Sequence, residues 1–525
     1  MRDFHLPGRS SVIAANGMCA TSHPLAAKVA VQMLEAGGNA MDAAIAGAVL
    51  LGLCEPQMTG IGGDCFALFT TPDDDKVHAL NGSGRAPAAM DAAALRAAGH
   101  ETIPVYDPAA VTIPGAIDAF CHLSKNWGKL GLKAVLAPSI YYAEAGIPVA
   151  ARVARDWAMD YEKLQGAAKD AYLVDVKVPP VGTMFRAPKQ AEVLRHVAEH
   201  GRAGFYEGEV AEDMVNTLRA MGGVHTLDDF AATACDVTEP IQSEYGGLDL
   251  FEHPPNGQGA TAALILNILK HFDLASMDPM GAERVHIEAE ATKLAYDARN
   301  RWIGDYDYAT RLEKMLSAET AAQFAALIDP GKVLPAGLPG AEQVHKDTIY
   351  ITVVDKDRMA VSLIYSIFHG FGSGMASDKF GILFQNRGAG FCLEEGHPNE
   401  AGGGKRPMHT IIPGILQKAG KTVAPFGVMG GQYQATGHAR FISNITTYGM
   451  NVQAALDAPR AFAEGDVLNV ERGYSDDVRG TLSDLGHNVQ IPDTAIGGAQ
   501  TIMIHDNGTL EGASDPRKDG CALGY

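Results

Sequence analysis

The spacing of apolar residues changes about two thirds of the way along the chain. In the first part it mostly follows the helical period of about 3.6 residues, which predicts amphipathic helices over 115–165, 186–222 and 257–303. An alanine-rich stretch at 24–53 predicts two helices joined by a glycine turn. A second glycine turn, in 58–69, leads into a predicted strand. The first part of the chain is therefore expected to be rich in helix.

Residues 328–346 interrupt the helical pattern. This stretch is rich in proline and glycine and has no apolar period, which is typical of an exposed linker. Directly after it, two apolar runs at 348–354 and 359–367 flank a polar turn at 355–358. Such a pattern predicts a β-hairpin whose first strand begins at Thr348. The last part of the chain is therefore expected to be rich in strand.

Length and composition indicate a large globular protein. A chain of 525 residues is long enough for two cores or for one large α/β body. It is 46% hydrophobic and 20% charged, with a formal net charge of -20 at pH 7. This negative charge argues against nucleic acids and anionic membranes as partners. The longest apolar run, at 43–53, is too short to span a bilayer.

The cysteines and histidines argue against disulfides and metal sites. The cysteines are odd in number and widely spaced, without a CxxC pair, so reduced thiols and a cytoplasmic location are expected. The N-terminus has no continuous apolar segment, and we expect no signal peptide. His286, Glu288 and Glu290 share one predicted helix but form no HExxH motif, so neither a metal nor another cofactor is expected. The cysteines are Cys19, Cys54, Cys65, Cys121, Cys235, Cys392 and Cys521.

Asp347 and Thr348, at the start of the predicted hairpin, raise the question of a chemical role for the threonine. A β-branched residue at a strand start ordinarily needs no further explanation. If the chain is cut before Thr348, however, the new α-amino group lies beside the hydroxyl of the same residue. Such an amine has a pKa of about 8 and can act as the base while the hydroxyl attacks a carbonyl, either a substrate's or that of the preceding peptide bond. The pattern alone leaves both interpretations open.

An ordered set of motifs extends over nearly the whole chain. It comprises ATSHPLAAKVAVQMLEAGGNAMDAAIA at 20–46, EPQMTGIGGDCFALF at 55–69, TIPGAIDAF at 112–120, VLAPSIYYAEAGIPV at 135–149, HPPNGQGATAALILNILKHFDL at 253–274, EATKLAYDARNRWIGD at 290–305, DTIYITVVDKDRMAVSLIYSIFHGFGSG at 347–374, KRPMHT at 405–410 and MGGQ at 429–432. Together these motifs resemble the γ-glutamyltransferase family of N-terminal nucleophile hydrolases. So many matches in order are far more specific than one glycine turn.

The resemblance implies a fold and a processing reaction. The implied fold is the four-layer αββα sandwich, an α+β architecture with two stacked antiparallel sheets between helical layers. Self-cleavage between Asp347 and Thr348 would give a helix-rich large chain, 1–347, and a small chain, 348–525, that together form one body. The implied product is thus a heterodimer of the two chains, or a dimer of such heterodimers, without a metal or organic cofactor.

The resemblance also assigns catalytic roles. Thr348 corresponds to the nucleophile, and Ser366 to a hydroxyl residue that supports its amine. Gly430 and Gly431 correspond to paired glycines whose backbone N–H groups form the oxyanion hole. Glycine suits this role because it permits close approach and unusual dihedral angles.

Several positions depart from the family where it binds the γ-glutamyl group. The arginine that grips the substrate's α-carboxylate is replaced by Ser83, and the nearest arginine, Arg85, lies two residues further on. The acid that receives the α-amino group is replaced by Gly390, with Arg387 three residues before it. Loss of an acid next to a new cation removes the ammonium site and favours an anion. Arg387 or Arg85 is therefore expected to clamp a substrate carboxylate.

Three further substitutions accompany this change. His409 and Thr410 stand where the family has paired serines, and we expect them to act as further substrate-binding donors. Phe368 stands where the family has an asparagine. With these features the chain resembles the subgroup that includes oxamate amidohydrolase.

The expected activity is hydrolysis of a small amide that carries a carboxylate, with oxamate as the leading candidate. One alternative is a γ-glutamyl hydrolase or transpeptidase acting on glutathione-like compounds, or an acylase of the cephalosporin type. A different alternative is an uncleaved homologue that only binds a ligand.

Overall fold

Two stacked antiparallel sheets form the centre of the protein in its computed structural model, which describes residue 5 and residues 8–334 and 348–525. Each sheet has seven strands. The first sheet contains, in spatial order, Val12–Ala14, Leu510–Ser514, Gly498–Ile504, Lys421–Met429, Pro413–Lys418, Leu248–Glu252 and Ile241–Tyr245. The second sheet contains Cys521–Gly524, Met18–Thr21, Ile349–Val354, Ala360–Ser366, Asp64–Thr71, Asp74–Gly82 and Asp236–Thr238.

Helices cover the outer face of each sheet, which gives the expected layer order αββα. On the second sheet, the helix Ala40–Cys54 shares a hydrophobic core with the strand Ile349–Val354. On the first sheet, the helix Gly259–Leu269 packs in a separate core with the strand Lys421–Met429. The helices are Pro24–Glu35, Ala40–Cys54, Ala92–Ala97, Ala116–Trp127, Leu132–Ala145, Ala151–Asp160, Ala167–Tyr172, Pro188–His200, Ala203–Tyr206, Gly208–Ala220, Leu227–Ala231, Gly259–Leu269, Ala282–Trp302, Leu312–Leu316, Ala318–Ala325, Gln434–Thr446, Val452–Asp457 and Asp476–Asp484.

The predicted hairpin is confirmed at the centre of the second sheet. Ile349–Val354 pairs with Ala360–Ser366 in antiparallel register, with Ile349 opposite Tyr365. Both strands are buried on both faces, which explains why their sequence is largely apolar instead of alternating. Strands from before and after the predicted linker occur in both sheets. The two parts of the chain therefore complete each other's sheets.

Tyr350 fixes the hairpin against the opposite sheet. A Cβ atom on Gly427 of the first sheet would lie 2.3 Å from the Tyr350 ring, so this contact requires glycine. The Tyr350 hydroxyl hydrogen bonds with Ser362 at 2.7 Å, and Ser362 donates to the Phe426 carbonyl oxygen at 3.1 Å. These contacts hold the residues at the hairpin's open end in a defined position.

Other sequence predictions can be located in the fold. The helix pair predicted at 24–53 is confirmed, and so is the strand predicted after the glycine turn in 58–69. Most of the predicted linker, from residue 335 onward, lies outside the described residues, and so does Asp347. Within the described ranges, no helix is long and apolar enough to cross a bilayer.

Candidate active site

Thr348 lies at the open end of the central hairpin. It immediately precedes the strand Ile349–Val354, and only 2% of the residue is exposed. Ser366 ends the partner strand, one position beyond the residue that faces Ile349. The Thr348 hydroxyl donates a hydrogen bond to the Ser366 hydroxyl at 3.3 Å. The antiparallel register thus brings together two hydroxyl groups that are 18 residues apart in sequence.

Ser366 is contacted by two further donors. The backbone N–H of Phe368 donates to its Oγ at 2.9 Å, and the Nη2 atom of Arg387 donates at 3.2 Å. Phe368 has a φ of 82°, a strained value for a bulky residue, which bends the chain back toward Ser366. Ser366 is therefore held by the turn that follows it and by two residues distant in sequence, Thr348 and Arg387.

Arg387 is a fully buried cation. Its Nη1 atom donates to Thr410 Oγ1 at 3.0 Å, and its guanidinium lies 4.0 Å from the centre of the Phe368 ring. Among the described residues it forms no ion pair, and its Nε atom has no hydrogen-bond partner. Burial lowers the pKa of Arg387 to about 9, and the charge of Asp64 opposes this effect. The guanidinium thus touches hydroxyl groups and an aromatic face but no carboxylate.

Both carboxylate oxygens of Asp64, the nearby acid, already accept hydrogen bonds. Its Oδ2 atom accepts from His409 Nε2 at 3.1 Å. Its Oδ1 atom accepts from the backbone N–H of Gly84 and the side-chain amide of Gln385, both at 2.8 Å. Burial, reinforced by the charge of Arg387, lowers the pKa of His409 to about 3 despite the hydrogen bond with Asp64. His409 is therefore a neutral donor to Asp64 at physiological pH.

Gly430 and Gly431 form the turn that follows the strand Lys421–Met429. Their φ angles are 116° and 54°, in the region that favours glycine. A Cβ atom on Gly430 would lie 2.8 Å from the Cα of Gly497, so the close approach of the two segments also requires glycine. Gly430 and Thr348 line the same cavity. The turn thus places the backbone of Gly430 at the cavity onto which Thr348 opens.

The cavity in front of Thr348 has a volume of about 400 Å³. Lys518 also lines it, although only 7% of this residue is exposed. In the described part of the chain its ammonium makes one hydrogen-bond contact, with the sulfur of Met58 at 3.6 Å. Burial raises the pKa of the neighbouring Glu55 to about 7, against the opposing charge of Lys518. The cavity wall therefore carries a buried cation that, among the described residues, has no carboxylate within ion-pair distance.

The glycine turn is fixed by two residues, Gln258 and Arg299, for which the sequence pattern predicted no role. The side-chain amide of Gln258 donates to the carbonyl oxygens of Thr410 at 2.6 Å and Gly431 at 3.3 Å. Arg299 donates to Gln258 Oε1 at 2.8 Å and also hydrogen bonds with the Gln432 side chain. Both Gln258 and Arg299 lie in motifs that carry the family resemblance, which was the available signal.

Arg85 lies apart from Thr348 and Arg387. Its side chain is 45% exposed and pairs with Asp236 at 3.3 Å and Asp305 at 3.4 Å. Ser83 is instead buried and hydrogen bonds with Asn81 at 2.7 Å. In the described structure no hydrogen bond or ion pair joins Arg85 to Arg387 or to the threonine. We therefore retain Arg387 alone as the candidate carboxylate clamp.

The structure thus brings most of the predicted site residues together. Thr348, Ser366, Arg387 and Thr410 form one hydrogen-bonded chain, and His409 is joined to Asp64 beside it. Gly430 lines the same cavity as Thr348. A hydroxyl nucleophile beside a glycine turn, with a buried cation two hydrogen bonds away, is suited to acyl transfer from an anionic substrate.

Comparisons with known proteins agree with this chemistry. Residues 26–525 match the family model for gamma-glutamyltranspeptidase. The glutathione hydrolase-like YwrD proenzyme of Bacillus subtilis is 35% identical, over 98% of this chain and 99% of that protein. The oxamate amidohydrolase proenzyme of Klebsiella pneumoniae is 34% identical, over 98% of this chain and all of that protein. A crystal structure of cephalosporin acylase from Bacillus halodurans superimposes with a TM-score of 0.92 at 38% identity, covering 100% of this chain and 99% of that one.

Proposed function

The chain belongs to the γ-glutamyltranspeptidase family of enzymes that cleave amide bonds, and we propose that it is a self-processing hydrolase of a small amide bearing a carboxylate. Cleavage before Thr348 would give chains of residues 1–347 and 348–525, which stay together because each completes the other's sheets. A cytoplasmic location is part of the proposal.

The proposed reaction proceeds through an ester on Thr348. The α-amino group of Thr348 accepts the proton of its hydroxyl while the oxygen attacks the amide carbon. The backbone N–H groups of Gly430 and Gly431 stabilise the oxyanion that forms on the carbonyl oxygen. The amine leaves with a proton from the Thr348 ammonium, and water then hydrolyses the ester. Ser366 keeps the hydroxyl in position through the hydrogen bond of 3.3 Å.

The buried guanidinium of Arg387 is the observation that supports this proposal most. Burial of an ion without a partner costs on the order of several kcal/mol, so a cation in this state is suited to bind an anion. Thr410 and Ser366 orient the guanidinium, and Phe368 covers its face. A substrate carboxylate would supply the missing charge and accept from the Nε atom.

The spacing between Arg387 and Thr348 favours a short acyl group. Two hydrogen bonds in series, of 3.2 and 3.3 Å through Ser366, separate the guanidinium from the nucleophilic hydroxyl. A molecule with the carboxylate next to the amide carbon fits this spacing better than a γ-glutamyl group, whose carboxylate is several bonds further away. Oxamate, the substrate in the name of one relative, has this form and is our leading candidate.

A second candidate is a substituted amide whose amine part carries a negative charge. The cavity of about 400 Å³ is far larger than ammonia requires, since a water molecule occupies about 30 Å³ in the liquid. Lys518 on the cavity wall would bind an anionic leaving group. Glutathione hydrolases and acylases are among the named relatives, in agreement with this alternative.

A panel of amides tests both candidates. The purified protein is incubated with oxamate, with N-carboxymethyl oxamate, with the uncharged oxamide and with γ-glutamyl-p-nitroanilide, and amine release is measured. We expect both oxamates to be cleaved, and oxamide at least tenfold more slowly. Preference for γ-glutamyl-p-nitroanilide, or equal rates for oxamide and oxamate, would remove the carboxylate clamp from the proposal.

A denaturing gel tests the non-enzymatic alternative. The processed protein gives two bands, whereas an uncleaved binding homologue gives a single band near 55.4 kDa after long incubation. A single band together with no amide cleavage would favour the binding protein.

A further inference from the structure

Three potential metal ligands converge at a buried place that includes neither Thr348 nor its cavity. His286 and Glu290 lie one turn apart on the helix Ala282–Trp302, so their side chains share a face. His487 approaches from the turn after the helix Asp476–Asp484. All three are at least nine-tenths buried, and their ligand atoms lie within 4.8 Å of one another.

The hydrogen bonds of His286 leave its ligand atom available. Its Nε2 atom lies 2.8 Å from the backbone carbonyl oxygen of Asp329, which can only accept, so Nε2 carries the proton. Its Nδ1 atom therefore has a lone pair, and this atom lies 2.8 Å from His487 Nε2. A carbonyl oxygen that fixes the tautomer of a histidine in this way is the usual outer partner of a metal ligand.

The carboxylate of Glu290 completes the cluster. One oxygen accepts from Lys293 Nζ at 2.6 Å, and the other accepts from the backbone N–H of Leu334 at 2.6 Å. Each oxygen keeps a further lone pair. Lys293, which is 20% exposed in its side chain, is the cation that faces the cluster and opposes metal binding. The Nε2 atom of His487 donates to His286 Nδ1 at 2.8 Å, so this ring nitrogen already faces the cluster.

We propose that His286, His487 and Glu290 bind one zinc ion. Two imidazoles and one carboxylate are a donor set that suits zinc, whereas magnesium and calcium prefer oxygen ligands alone. His487 would move its proton from Nε2 to Nδ1, so that no net proton is released. The two ring nitrogens would separate to roughly 3.3 Å, the distance between two nitrogens on tetrahedral zinc, and water would take the fourth position.

The expected role of the ion is to join the two parts of the chain. His286 and Glu290 belong to the part before residue 335, and His487 to the part after residue 347. The same cluster holds the backbone at Asp329 and Leu334. If the proposed cleavage occurs, zinc would link the large and the small chain; binding itself does not depend on that cleavage.

The experiment is a zinc titration of metal-free, full-length protein by calorimetry, for the wild type and for uncleavable Thr348→Ala. For both proteins we expect one zinc ion per 525 residues, and a higher midpoint of thermal unfolding when zinc is present. His487→Asn and Glu290→Gln should each weaken binding at least tenfold, because each loses a ligand. Lys293→Met should strengthen binding, because a repelling charge is removed. If the protein is not cleaved, the gel shows one band and zinc binding is unaffected. If the zinc site is wrong, the titration and the thermal shift fail and the gel is unaffected.

A second cluster on the surface supplies the control. Glu192, His196 and Glu209 also lie within ligand distance of one another but are exposed or half-exposed. His196→Asn should leave the zinc affinity unchanged. Zinc affinity that is lost in His196→Asn and kept in His487→Asn would overturn the proposal. If His487→Asn does not fold, the anomalous scattering of zinc in wild-type crystals decides: a peak between His286 and His487 supports the site, and no peak there overturns it.

Discussion

The hydroxyl groups of Thr348 and Ser366 lie 3.3 Å apart at the open end of one hairpin, and the guanidinium of Arg387 donates to the same Ser366 oxygen at 3.2 Å. Ser366 therefore connects the candidate nucleophile to the candidate carboxylate clamp. A substrate that binds Arg387 through its carboxylate is brought within reach of Thr348, so that binding and reaction depend on one small set of contacts.

Thr348→Ala should abolish both self-cleavage and turnover, because the same hydroxyl performs both reactions. Mass spectrometry of the purified variant should give one unbroken chain. Thr352→Val is the matched control: Thr352 is equally buried, lies in the strand that Thr348 precedes, and donates to the Val361 carbonyl oxygen. This control should still split into two chains. Two chains from Thr348→Ala would show that another residue is the nucleophile.

Arg387→Met should raise KM for oxamate by roughly 10- to 100-fold, since a charge-assisted hydrogen bond contributes about 1.5–3 kcal/mol. The thermal midpoint should be unchanged or higher, because the folded protein no longer buries a cation without an ion pair. Arg85→Gln, at the exposed arginine, should leave KM within about twofold. Equal KM values for the wild type and Arg387→Met would place the carboxylate elsewhere.

Lys518→Met should raise KM for N-carboxymethyl oxamate and leave KM for oxamate unchanged. Only the first substrate carries a negative charge on the leaving group, which Lys518 on the cavity wall would bind under the second candidate function. Lys518→Arg should restore part of the affinity because the charge is kept. Steady-state kinetics with both substrates provides the measurement, and an equal effect on both would indicate a general effect on the site.

His409 should make the protein less stable in acid. Its pKa is about 3 in the folded protein, against an ordinary value of 6.5, so between these pH values the unfolded chain binds a proton that the folded chain does not. The stability contributed by this group is complete above pH 6.5 and is lost as the pH falls toward 3. His409→Gln, which keeps a donor toward Asp64, should show a smaller drop in thermal midpoint between pH 7.5 and pH 5. An identical drop would mean that His409 is protonated in the folded protein.

Much of the fold could be predicted from local patterns. The helix pair at 24–53 and the hairpin at 348–367 have clear periods and turn residues, and both were located from the sequence. The roles of Gln258 and Arg299 could not be found in this way. Neither residue is unusual among its sequence neighbours, and their function arises from hydrogen bonds to each other and to a turn far along the chain.

The two candidate arginines illustrate the same limit. Arg85 and Arg387 were both reasonable carboxylate clamps, since each is a cation near a family binding position. The structure gives Arg85 two carboxylate partners at the surface and leaves Arg387 buried among hydroxyl groups. Linear sequence carries no information about which charges are neutralised by distant neighbours.

By itself, the sequence determined the family, the layer architecture and the identity of the candidate nucleophile, because these depend on residue types in a fixed order along the chain. Only the tertiary structure decided which cations lack a counter-charge and which histidines and acids converge, as at His286, Glu290 and His487. The physical reason is that the energy of a buried charge depends on its distance to every other charge, and chain folding, not chain order, sets those distances.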